Sequence, residues 1–424
     1  MRESIIPRER MLAIEAGKER LIDRTARRAL LARLARIEHG ILEIVEGEER
    51  HRFGSLSARC RLKATVTVTD PRFWSELALA GNTGAGEAYI AGYFRCDDLT
   101  AAVRILVQNR QVLEGLEGGG ARLAAPVKRL AHWINRNTQE GSRKNIAAHY
   151  DLGNDLFELF LDETMMYSSA LFATGEETLE EAQALKLDAI CRKLELTPED
   201  HLLEIGTGWG ALAIHAAGRY GCRVTTTTIS REQHKLATER VREAGLEERI
   251  TLLLEDYRDL EGQFDKLVSV EMIEAVGHHF LDTYIAKCSS LLKPDGMMLL
   301  QAITIRDQHY ANALKTVDFI KKYVFPGSFI PSVTAIADSI ASSSDMRIFH
   351  LQDFGPDYAR TLRLWRERFF DRIDEVRALG YPEPFMRLWE YYLCYCEGGF
   401  TERNIGVNHM LLTKPDCRRA PLGF

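Results

Sequence analysis

Short apolar runs alternate with longer amphipathic stretches along much of the chain. The segment 64–70 has hydrophobic residues at every second position, which predicts a half-buried strand ended by Asp70-Pro71. Further apolar runs predict strands at 202–205, 223–229, 250–254, 266–270 and 297–305. Stretches with helical spacing lie between most of them, at 211–219, 231–244 and 280–292. Alternating strands and helices predict an α/β fold with a parallel sheet and right-handed crossovers.

No apolar stretch of the sequence is long enough to cross a bilayer. Among the longest is Met297-Met-Leu-Leu300, far short of the ~20 residues that a membrane-spanning helix needs. The first 11 residues are too highly charged for a secretory signal. The 8 cysteines among 424 residues include no zinc-like Cys-x-x-Cys pair, which argues against a disulfide framework. We therefore expect a cytoplasmic protein without a bound metal.

Positive charge is concentrated near the N-terminus. Residues 1–63 carry a net charge of +5 and the remainder carries −11. The basic excess is sharpest over 18–36, where an apolar stripe recurs at helical spacing: Ile22, Ala26, Leu30, Leu34 and Ile37. Such a helix can lie on anionic lipid, or its stripe can pack on its own domain. Nucleic acid is not expected as a partner, because the chain is acidic overall and no base-stacking motif accompanies the arginines.

A glycine-rich turn, Gly206-Thr-Gly-Trp-Gly210, follows the predicted strand 202–205. Glycine lets the backbone turn sharply and approach a ligand, and ligands of parallel sheets bind beyond the carboxyl ends of the strands. A dinucleotide-binding turn would place its third glycine one residue later and an acid about 20 residues further on. The next predicted strand instead ends in Thr228, Ile229 and Ser230. Both departures count against NAD.

A set of ordered motifs extends over most of the chain. It comprises His149-Tyr-Asp-Leu-Gly-Asn-Asp-Leu-Phe157, Met166-Tyr-Ser-Ser-Ala170, Glu204-Ile-Gly-Thr-Gly-Trp-Gly210, Thr228-Ile-Ser-Arg-Glu-Gln233, Asp256-Tyr-Arg-Asp259 and Phe354-Gly-Pro-Asp-Tyr358. Together these motifs resemble the cyclopropane fatty acid synthase family. Residues 84–94 also look like that family's N-terminal lipid-binding domain, so the resemblance runs from about residue 70 to residue 400.

The resemblance implies a class I methyltransferase fold, which is Rossmann-like with a mostly parallel seven-stranded sheet, and a smaller N-terminal α+β lipid-binding domain. We expect the lipid-binding domain over 1–115, a linker over 116–142 and the catalytic domain over 143–424. In this family the methyl group of S-adenosylmethionine is transferred to a cis double bond in an acyl chain of a membrane phospholipid.

Matching positions imply where the cofactor would bind. Tyr167 and Ser168 would lie against its methionine part. The turn residues Gly206, Thr207, Gly208 and Gly210 would face the cofactor. The ribose and adenine would contact Thr228, Ile229, Gln233, Asp256 and Tyr257.

The resemblance implies that the base is a bicarbonate ion. In the family this ion is held by a Cys, a Glu, a His, an Ile backbone and a Tyr, a set that we call the anion cradle. Glu274, Ile303 and Tyr358 match that set, whereas the cysteine position is Ser169 and the histidine position is Gln301. Serine and glutamine still donate hydrogen bonds, but a bound bicarbonate would lose the cationic help of histidine.

Glu271 and Ala275 stand where the family usually has glycine and histidine. Glu271 follows the predicted strand 266–270 at the ligand-binding edge. If a helix starts there, Glu271 and Glu274 face the same way, and two nearby carboxylates raise one pKa towards that of a general base. We hypothesise that Glu271 supplies a protein-bound base in place of bicarbonate. The alternative is a solvated acid at a strand end.

The altered cradle leaves two products open. Proton loss from the transferred methyl group closes a cyclopropane, whereas loss from a neighbouring carbon leaves a methyl-branched olefin, which we favour. Tyr323 belongs to an aromatic-rich region that suits a cationic intermediate, and Cys396 is expected to line the same pocket.

Two other functions compete with a lipid methyltransferase. One is an oxidoreductase on a similar sheet. The other is a non-enzymatic lipid carrier, which would need neither the glycine turn nor Tyr167-Ser168. For the methyltransferase we expect peripheral contact with anionic membrane, through the helix 18–36 and a second basic set, and we keep a homodimer open. That second set is Lys128, Arg129, Arg136, Arg143 and Lys144.

Overall fold

The computed structural model describes residues 19–111 and 153–422. Within them the chain forms two compact units. The first contains the described residues up to 111 together with 316–324 and 365–404, and the second contains 153–315, 325–364 and 405–422. The predicted linker 116–142 and the second basic set lie outside the described residues. Residues 365–404, which the sequence analysis assigns to the catalytic domain, group with the first unit.

The first unit contains a four-stranded sheet in the order β2-β1-β3-β4. Strands β1 (Ile41–Glu46) and β2 (Glu49–Phe53) pair antiparallel, β3 (Lys63–Val68) runs parallel to β1, and β4 (Phe94–Cys96) is antiparallel to β3. In β3 buried Ala64, Val66 and Val68 alternate with more exposed residues. The predicted half-buried strand is therefore confirmed.

Helices α1 (Leu21–Leu34), α2 (Arg72–Ile90) and α3 (Leu99–Gln108) accompany this sheet. The unit also includes a π-helix over Ile320–Val324 and the helices Ile373–Ala378 and Glu383–Thr401. Gly86 of α2 allows a close approach within this unit, because a Cβ there would lie 2.3 Å from the ring of Phe319.

Helix α1 packs its apolar stripe onto its own unit. All the predicted stripe residues are buried except Ile22 at the helix start. On the polar side, Arg27 donates a hydrogen bond of 2.7 Å to the carboxylate of Glu46. Packing of the stripe on its own domain is thus confirmed, and contact of the exposed arginines with lipid stays a prediction.

The second unit contains a seven-stranded sheet in the order β10-β11-β9-β8-β5-β6-β7. Strands β5 to β9 run parallel, whereas β11 is antiparallel to both β9 and β10. The strands are β5 (His201–Ile205), β6 (Arg223–Thr227), β7 (Ile250–Leu253), β8 (Phe264–Val270), β9 (Leu292–Ile305), β10 (Arg347–Asp353) and β11 (Ile405–Thr413). The mostly parallel seven-stranded sheet is therefore confirmed.

Helices cover both faces of this sheet. The helices of this unit are α4 (Asn154–Glu158), α5 (Leu179–Lys193), α6 (Ala211–His215), α7 (Arg231–Glu243), α8 (Leu281–Ser290), α9 (Asp307–Ala313) and α10 (Val333–Ser343); α11 (Gly355–Asp371) follows β10. Successive strand residues point to opposite faces, so Leu202 and Leu203 of β5 enter two different apolar layers. One layer includes Ile285 of α8 and the other includes Leu187 of α5.

The predicted strands of this sheet are confirmed, but β10 and β11 are not among them. In β11 the polar pair Asn408-His409 interrupts the apolar run, and β10 has no clear alternation of burial. The predicted helix 211–219 is α6 followed by a π-helix over Ala216–Tyr220. Within the described ranges, no helix is both long and apolar enough to span a membrane.

Candidate active site

The candidate site residues of the second unit gather at the carboxyl ends of β5, β6 and β8. β5 runs into the glycine turn, β6 ends before Thr228, and β8 ends before Glu271. The backbone N–H of Glu271 donates to the carbonyl of Gln301 at 2.8 Å, which brings β9 to the same place. This is the edge at which parallel sheets bind ligands.

The glycine turn has a backbone that requires its glycines. Gly206, Gly208 and Gly210 have φ values of +103°, +53° and +90°. The N–H groups of Gly206 and Thr207 donate to the carbonyl of Thr227 at 3.1 and 3.0 Å, which fixes the turn against β6. A Cβ on Gly208 would meet nothing within 4 Å. The backbone at Gly208 is therefore open to a ligand.

Tyr167 and Ser168 lie in the loop before α5. The ring of Tyr167 packs edge-on against Phe157 of α4, with centroids 5.2 Å apart. The hydroxyl of Ser168 accepts a hydrogen bond of 2.7 Å from the buried amine of Lys186. Burial lowers the pKa of Lys186 to about 8. Sequence reasoning missed Lys186, because a lone lysine in an amphipathic helix gives no signal of burial.

Two further groups follow β6 and β7. Thr228 donates its hydroxyl to the amide oxygen of Gln233 at 2.8 Å. Arg258 donates to both carboxylate oxygens of Asp256, at 2.8 and 2.7 Å. The Tyr257 hydroxyl is buried and has no hydrogen-bond partner among the described residues. Ile229 lies between Thr228 and the first turn of α7.

These residues fit S-adenosylmethionine. The open backbone at Gly208 suits close approach of a ligand, and the orphaned hydroxyl of Tyr257 offers an unused hydrogen-bonding group. Thr228 and Gln233 supply neutral polar groups at the end of β6, where a dinucleotide-binding fold would supply a carboxylate.

The carboxylate of Glu271 occupies the centre of the predicted anion cradle. Its Oε1 accepts hydrogen bonds from the backbone N–H of Ser169 at 3.0 Å and from the amide of Gln301 at 2.7 Å. Its Oε2 accepts from the hydroxyl of Tyr358 at 2.7 Å. Ser169 contributes its backbone, because its own hydroxyl donates to the carbonyl of Ala170 at 2.9 Å. Three cradle positions thus converge on one protein carboxylate.

Glu271 adopts a strained backbone conformation at this point. Its φ is +49°, in the left-handed region that favours glycine. For a residue with a Cβ this conformation costs about 1–2 kcal/mol. Residues held in such conformations cluster at functional sites. A glycine is the residue that the resembled family usually carries here, and the positive φ explains that preference.

Glu274 forms the second carboxyl group of the site. Its Oε1 accepts from the N–H of Ile303 at 2.5 Å, and its Oε2 is buried without a partner among the described residues. Burial, reinforced by the charge of Glu271, raises the pKa of Glu274 to about 8. The predicted helix after β8 is a single 3-10 turn over Ile273–Ala275, which contains Glu274 and leaves Glu271 outside it.

Burial also raises the pKa of Glu271 above its ordinary value, and hydrogen bonds from Ser169, Tyr358 and Gln301 partly oppose that rise. The three donors favour the ionised form of Glu271, whereas Oε2 of Glu274 has no donor among the described residues. A proton held by the pair is therefore better placed on Glu274.

Tyr323 and Cys396 belong to the first unit. The Tyr323 hydroxyl donates to Glu87 at 2.7 Å. Burial raises the pKa of the Cys396 thiol, which keeps it protonated and unreactive. Their expected role as pocket lining stays a prediction.

Comparison with known proteins agrees with this geometry. Residues 137–410 match the family model described as Mycolic acid cyclopropane synthetase. The chain belongs to the cyclopropane fatty acid synthase family. It is 40% identical over 353 residues to Cyclopropane-fatty-acyl-phospholipid synthase of Escherichia coli, covering 83% of this chain and 88% of that protein.

Another family member is equally similar. Tuberculostearic acid methyltransferase UfaA1 of Mycobacterium tuberculosis is 40% identical over 352 residues, which cover 79% of each chain. Among solved structures, the mycolic acid cyclopropane synthase CmaA1 complexed with SAH and CTAB has a TM-score of 0.59 and 31% identity. That match covers 64% of this chain and 98% of CmaA1.

The family and the fold make this chain an S-adenosylmethionine-dependent methyltransferase that modifies unsaturated acyl chains. This decides against the oxidoreductase and the non-catalytic carrier. The two relatives bear names that refer to different fatty acids at the same identity, so overall similarity does not select the product.

Proposed function

We propose that this enzyme methylates the cis double bond of an unsaturated phospholipid acyl chain, with Glu271 as the general base, and releases a methyl-branched olefinic or methylene chain. The observation that carries the proposal is the convergence of the Ser169, Gln301 and Tyr358 donors on the Glu271 carboxylate. That carboxylate takes the role that the resemblance gives to a bicarbonate ion.

The reaction begins with a weak nucleophile. S-adenosylmethionine, when bound, supplies an electrophilic methyl group. The π electrons of the alkene would form the new carbon–carbon bond as the methyl group separates from sulfur with its bonding pair left on the sulfur. A positive charge remains on the other olefinic carbon. An alkene has no proton to lose before it attacks, so the protein contributes mainly alignment and exclusion of water.

The chain's own residues would provide that alignment. The turn at Gly206–Gly210 and the hydroxyl and amide of Thr228 and Gln233 would hold the adenosine part. Tyr167 and Ser168 would hold the methionine part, and the amine of Lys186 fixes the Ser168 hydroxyl at 2.7 Å. Cofactor and base are thereby anchored on adjoining strand ends.

Glu271 then removes a proton and ends the reaction. A carboxylate with a raised pKa is a stronger base than one in water, and its negative charge stabilises the nearby carbocation. Glu274 supports this role as a neutral neighbour, because its pKa of about 8 keeps it protonated at neutral pH. The N–H of Ile303 holds its other oxygen.

The attachment of the base to the protein as the side chain of Glu271 supports the non-ring product. A free anion can settle beside the transferred methyl group, whereas the Glu271 carboxylate is fixed to the end of β8 and held by three donors. We propose that it removes a proton from a neighbouring chain carbon. If it removes a methyl proton instead, the electron pair closes a cyclopropane, as the name of the Escherichia coli relative suggests for that protein. The methylene product would need a hydride shift from the methylated carbon to the cationic carbon first, after which loss of a methyl proton leaves a C=CH₂ group.

The test is expression in a bacterial host that lacks such an enzyme, followed by proton NMR of its phospholipids. We expect vinyl signals together with a new branch, and no upfield ring protons. Glu271→Gln should reduce product by about 10²–10⁴-fold, whereas Glu261→Gln, at an exposed carboxylate, should leave it unchanged. Unmodified lipids in the wild type, or full activity in Glu271→Gln, would contradict the proposal.

We further propose that the enzyme reaches its substrate through peripheral contact of α1 with anionic lipid. The exposed start of this helix combines Leu21 and Ile22, which are 73% and 46% exposed, with nearby exposed arginines. Apolar side chains beside cations suit the boundary between headgroups and acyl chains.

A further inference from the structure

A row of polar side chains lies behind Gln301 on three adjacent strands. Gln301 of β9 is paired with His409 of β11, and His409 is paired with Gln352 of β10. Directly opposed residues of neighbouring antiparallel strands point to the same face of a sheet. The row therefore runs from the sheet's edge strand towards the site, wholly within the second unit.

Lys193, the last residue of α5, joins this row. Its amine donates to the amide oxygen of Gln352 at 2.5 Å and to Nδ1 of His409 at 2.8 Å. Nε2 of His409 donates to the amide oxygen of Gln301 at 2.9 Å. The amide nitrogen of Gln301 donates to Glu271 at 2.7 Å. The result is a continuous hydrogen-bonded chain from Lys193 to Glu271.

The direction of every hydrogen bond in this chain is determined by its first member. An ammonium group has donors only, so Nδ1 of His409 must accept and its proton must reside on Nε2. That proton must then meet the oxygen of Gln301, which leaves the NH₂ group of Gln301 facing Glu271. A flipped Gln301 amide would present its oxygen to the carboxylate, and two acceptors repel.

Packing around His409 is consistent with a neutral ring. His409 and Gln301 are fully buried, and Phe354 contacts the imidazole edge-on with centroids 4.7 Å apart. Burial, followed by the charges of Lys193 and Lys186, lowers the pKa of His409 well below its ordinary value. A neutral imidazole can accept at one nitrogen while it donates at the other.

We propose that Lys193 and His409 are positioning residues of this enzyme, which fix the amide of Gln301 so that it donates to the catalytic carboxylate of Glu271. This inference rests on the proposed role of Glu271 as the base. Neither Lys193 nor His409 touches the reacting groups. They act on the orientation of the Gln301 amide, which His409 contacts directly and which Lys193 reaches through His409.

The first test compares two replacements of His409. His409→Leu removes the donor to Gln301, and we expect kcat to fall by about ten- to hundredfold with KM for the lipid unchanged, because small misplacements of a catalytic group carry losses of this size. His409→Gln can accept from Lys193 and donate to Gln301, so it should restore kcat to within about threefold of the wild type. A wild-type kcat in His409→Leu would overturn the inference.

The second test determines the imidazole tautomer of His409 directly by NMR. In protein labelled with ¹⁵N-histidine, the resonances of His409 are assigned by their loss in His409→Gln. We expect the Nε2–H tautomer in the wild type and loss of that preference in Lys193→Met. An Nδ1–H tautomer or a cationic ring at neutral pH in the wild type would overturn the inference. This measurement also decides the matter if His409→Leu does not fold.

Glu271→Gln separates the two proposals. If Glu271→Gln is inactive and His409→Leu has a wild-type kcat, only the positioning inference fails. If Glu271→Gln retains full turnover, the proposed base fails, and the tautomer of His409 still reports whether the hydrogen-bonded chain exists.

Discussion

The hydroxyl of Tyr358 donates a hydrogen bond of 2.7 Å to the carboxylate of Glu271. Tyr358 lies in the first turns of α11 and Glu271 at the end of β8, so elements far apart in sequence meet at one charge. This contact connects a residue that matches the family's anion cradle with one that departs from it. The departure thereby fills the cradle with a side chain of the protein.

Tyr358→Phe should shift the pH dependence of turnover. The hydrogen bond from Tyr358 lowers the pKa of Glu271, so its loss raises that pKa. Because a base works only when deprotonated, the acidic limb of the kcat profile should move to higher pH.

Tyr220→Phe is the matched control for this variant. The Tyr220 hydroxyl also donates to a carboxylate, that of Asp188, at 2.7 Å, but away from the site. Its pH profile of kcat should follow that of the wild type. An unshifted acidic limb in Tyr358→Phe would contradict the role of Glu271 as the titrating base.

Glu274→Gln should change how stability depends on pH. The pKa of Glu274 is raised from 4.5 to about 8 in the folded protein. Its stabilising contribution is therefore complete below pH 4.5 and is lost as pH rises through about 8. The melting temperature of the wild type, measured relative to that of Glu274→Gln, should fall by several degrees across this window, at about 3 °C per kcal/mol.

Glutamine keeps an oxygen for the N–H of Ile303, which limits other changes. Melting temperatures of both proteins are measured by calorimetry from pH 4.5 to pH 8. A constant difference between them, or one that grows in favour of the wild type as pH rises, would show that Glu274 is not protonated in the fold.

Gly208→Ala should weaken cofactor binding more than it weakens the fold. Gly208 has φ +53°, and its Cβ would meet no protein atom within 4 Å, so the new methyl group would occupy open space at the proposed cofactor site. Thermal shift with S-adenosylhomocysteine measures binding, since a ligand at 100 times its Kd stabilises by about 2.7 kcal/mol. We expect a clear shift in the wild type and little in Gly208→Ala.

Gly245→Ala provides the control. Gly245 has φ +68° and the same open surroundings, but it follows α7 at the other edge of the sheet. It should lose similar stability and keep the full ligand-induced shift. An equal loss of the shift in both variants would remove the assignment of the glycine turn to cofactor binding.

Removal of exposed cations from α1 and the turn that follows it should weaken binding to anionic vesicles. Arg24, Arg28 and Arg36 are exposed, and each cation near an anionic surface contributes about 1 kcal/mol. The triple glutamine variant should bind vesicles of phosphatidylglycerol at least about tenfold more weakly in co-sedimentation. Wild-type binding should fall as salt is raised.

A charge-matched variant of the second unit controls for net charge. Glutamine at Arg223, Lys235 and Arg242 removes three other exposed cations. Its vesicle binding should stay close to that of the wild type. Equal loss in both triple variants would indicate a non-specific charge effect, and binding indifferent to salt would count against a basic docking surface.

Sequence patterns located the site because the ends of its strands can be recognised in the sequence. The runs that became β5, β6 and β8 are short and apolar, and each is followed by a change of residue type: a glycine turn, hydroxyls, or Glu271. Parallel strands bring such ends to one edge, so Glu271 and the glycine turn were expected to lie close together. Glu271 also stands where the family usually has glycine, and this difference singled it out as a candidate.

Sequence patterns did not locate the groups that support the site. His409 lies in a strand that was not predicted, and its meeting with Gln301 depends on the register between β9 and β11. Lys186 is buried on a helix whose composition is ordinary. The backbone contact from Ser169 likewise depends on how a loop is folded, and side-chain chemistry does not reveal it.

The most direct measurement of the central claim is turnover in buffer freed of bicarbonate. Wild-type enzyme carries its own carboxylate at Glu271 and should keep its full rate there. Glu271→Gly reopens the cradle at a backbone position that suits glycine, and it should be inactive until bicarbonate is added. A wild-type enzyme that stops without bicarbonate, or a Glu271→Gly variant that works equally well without it, would contradict this account.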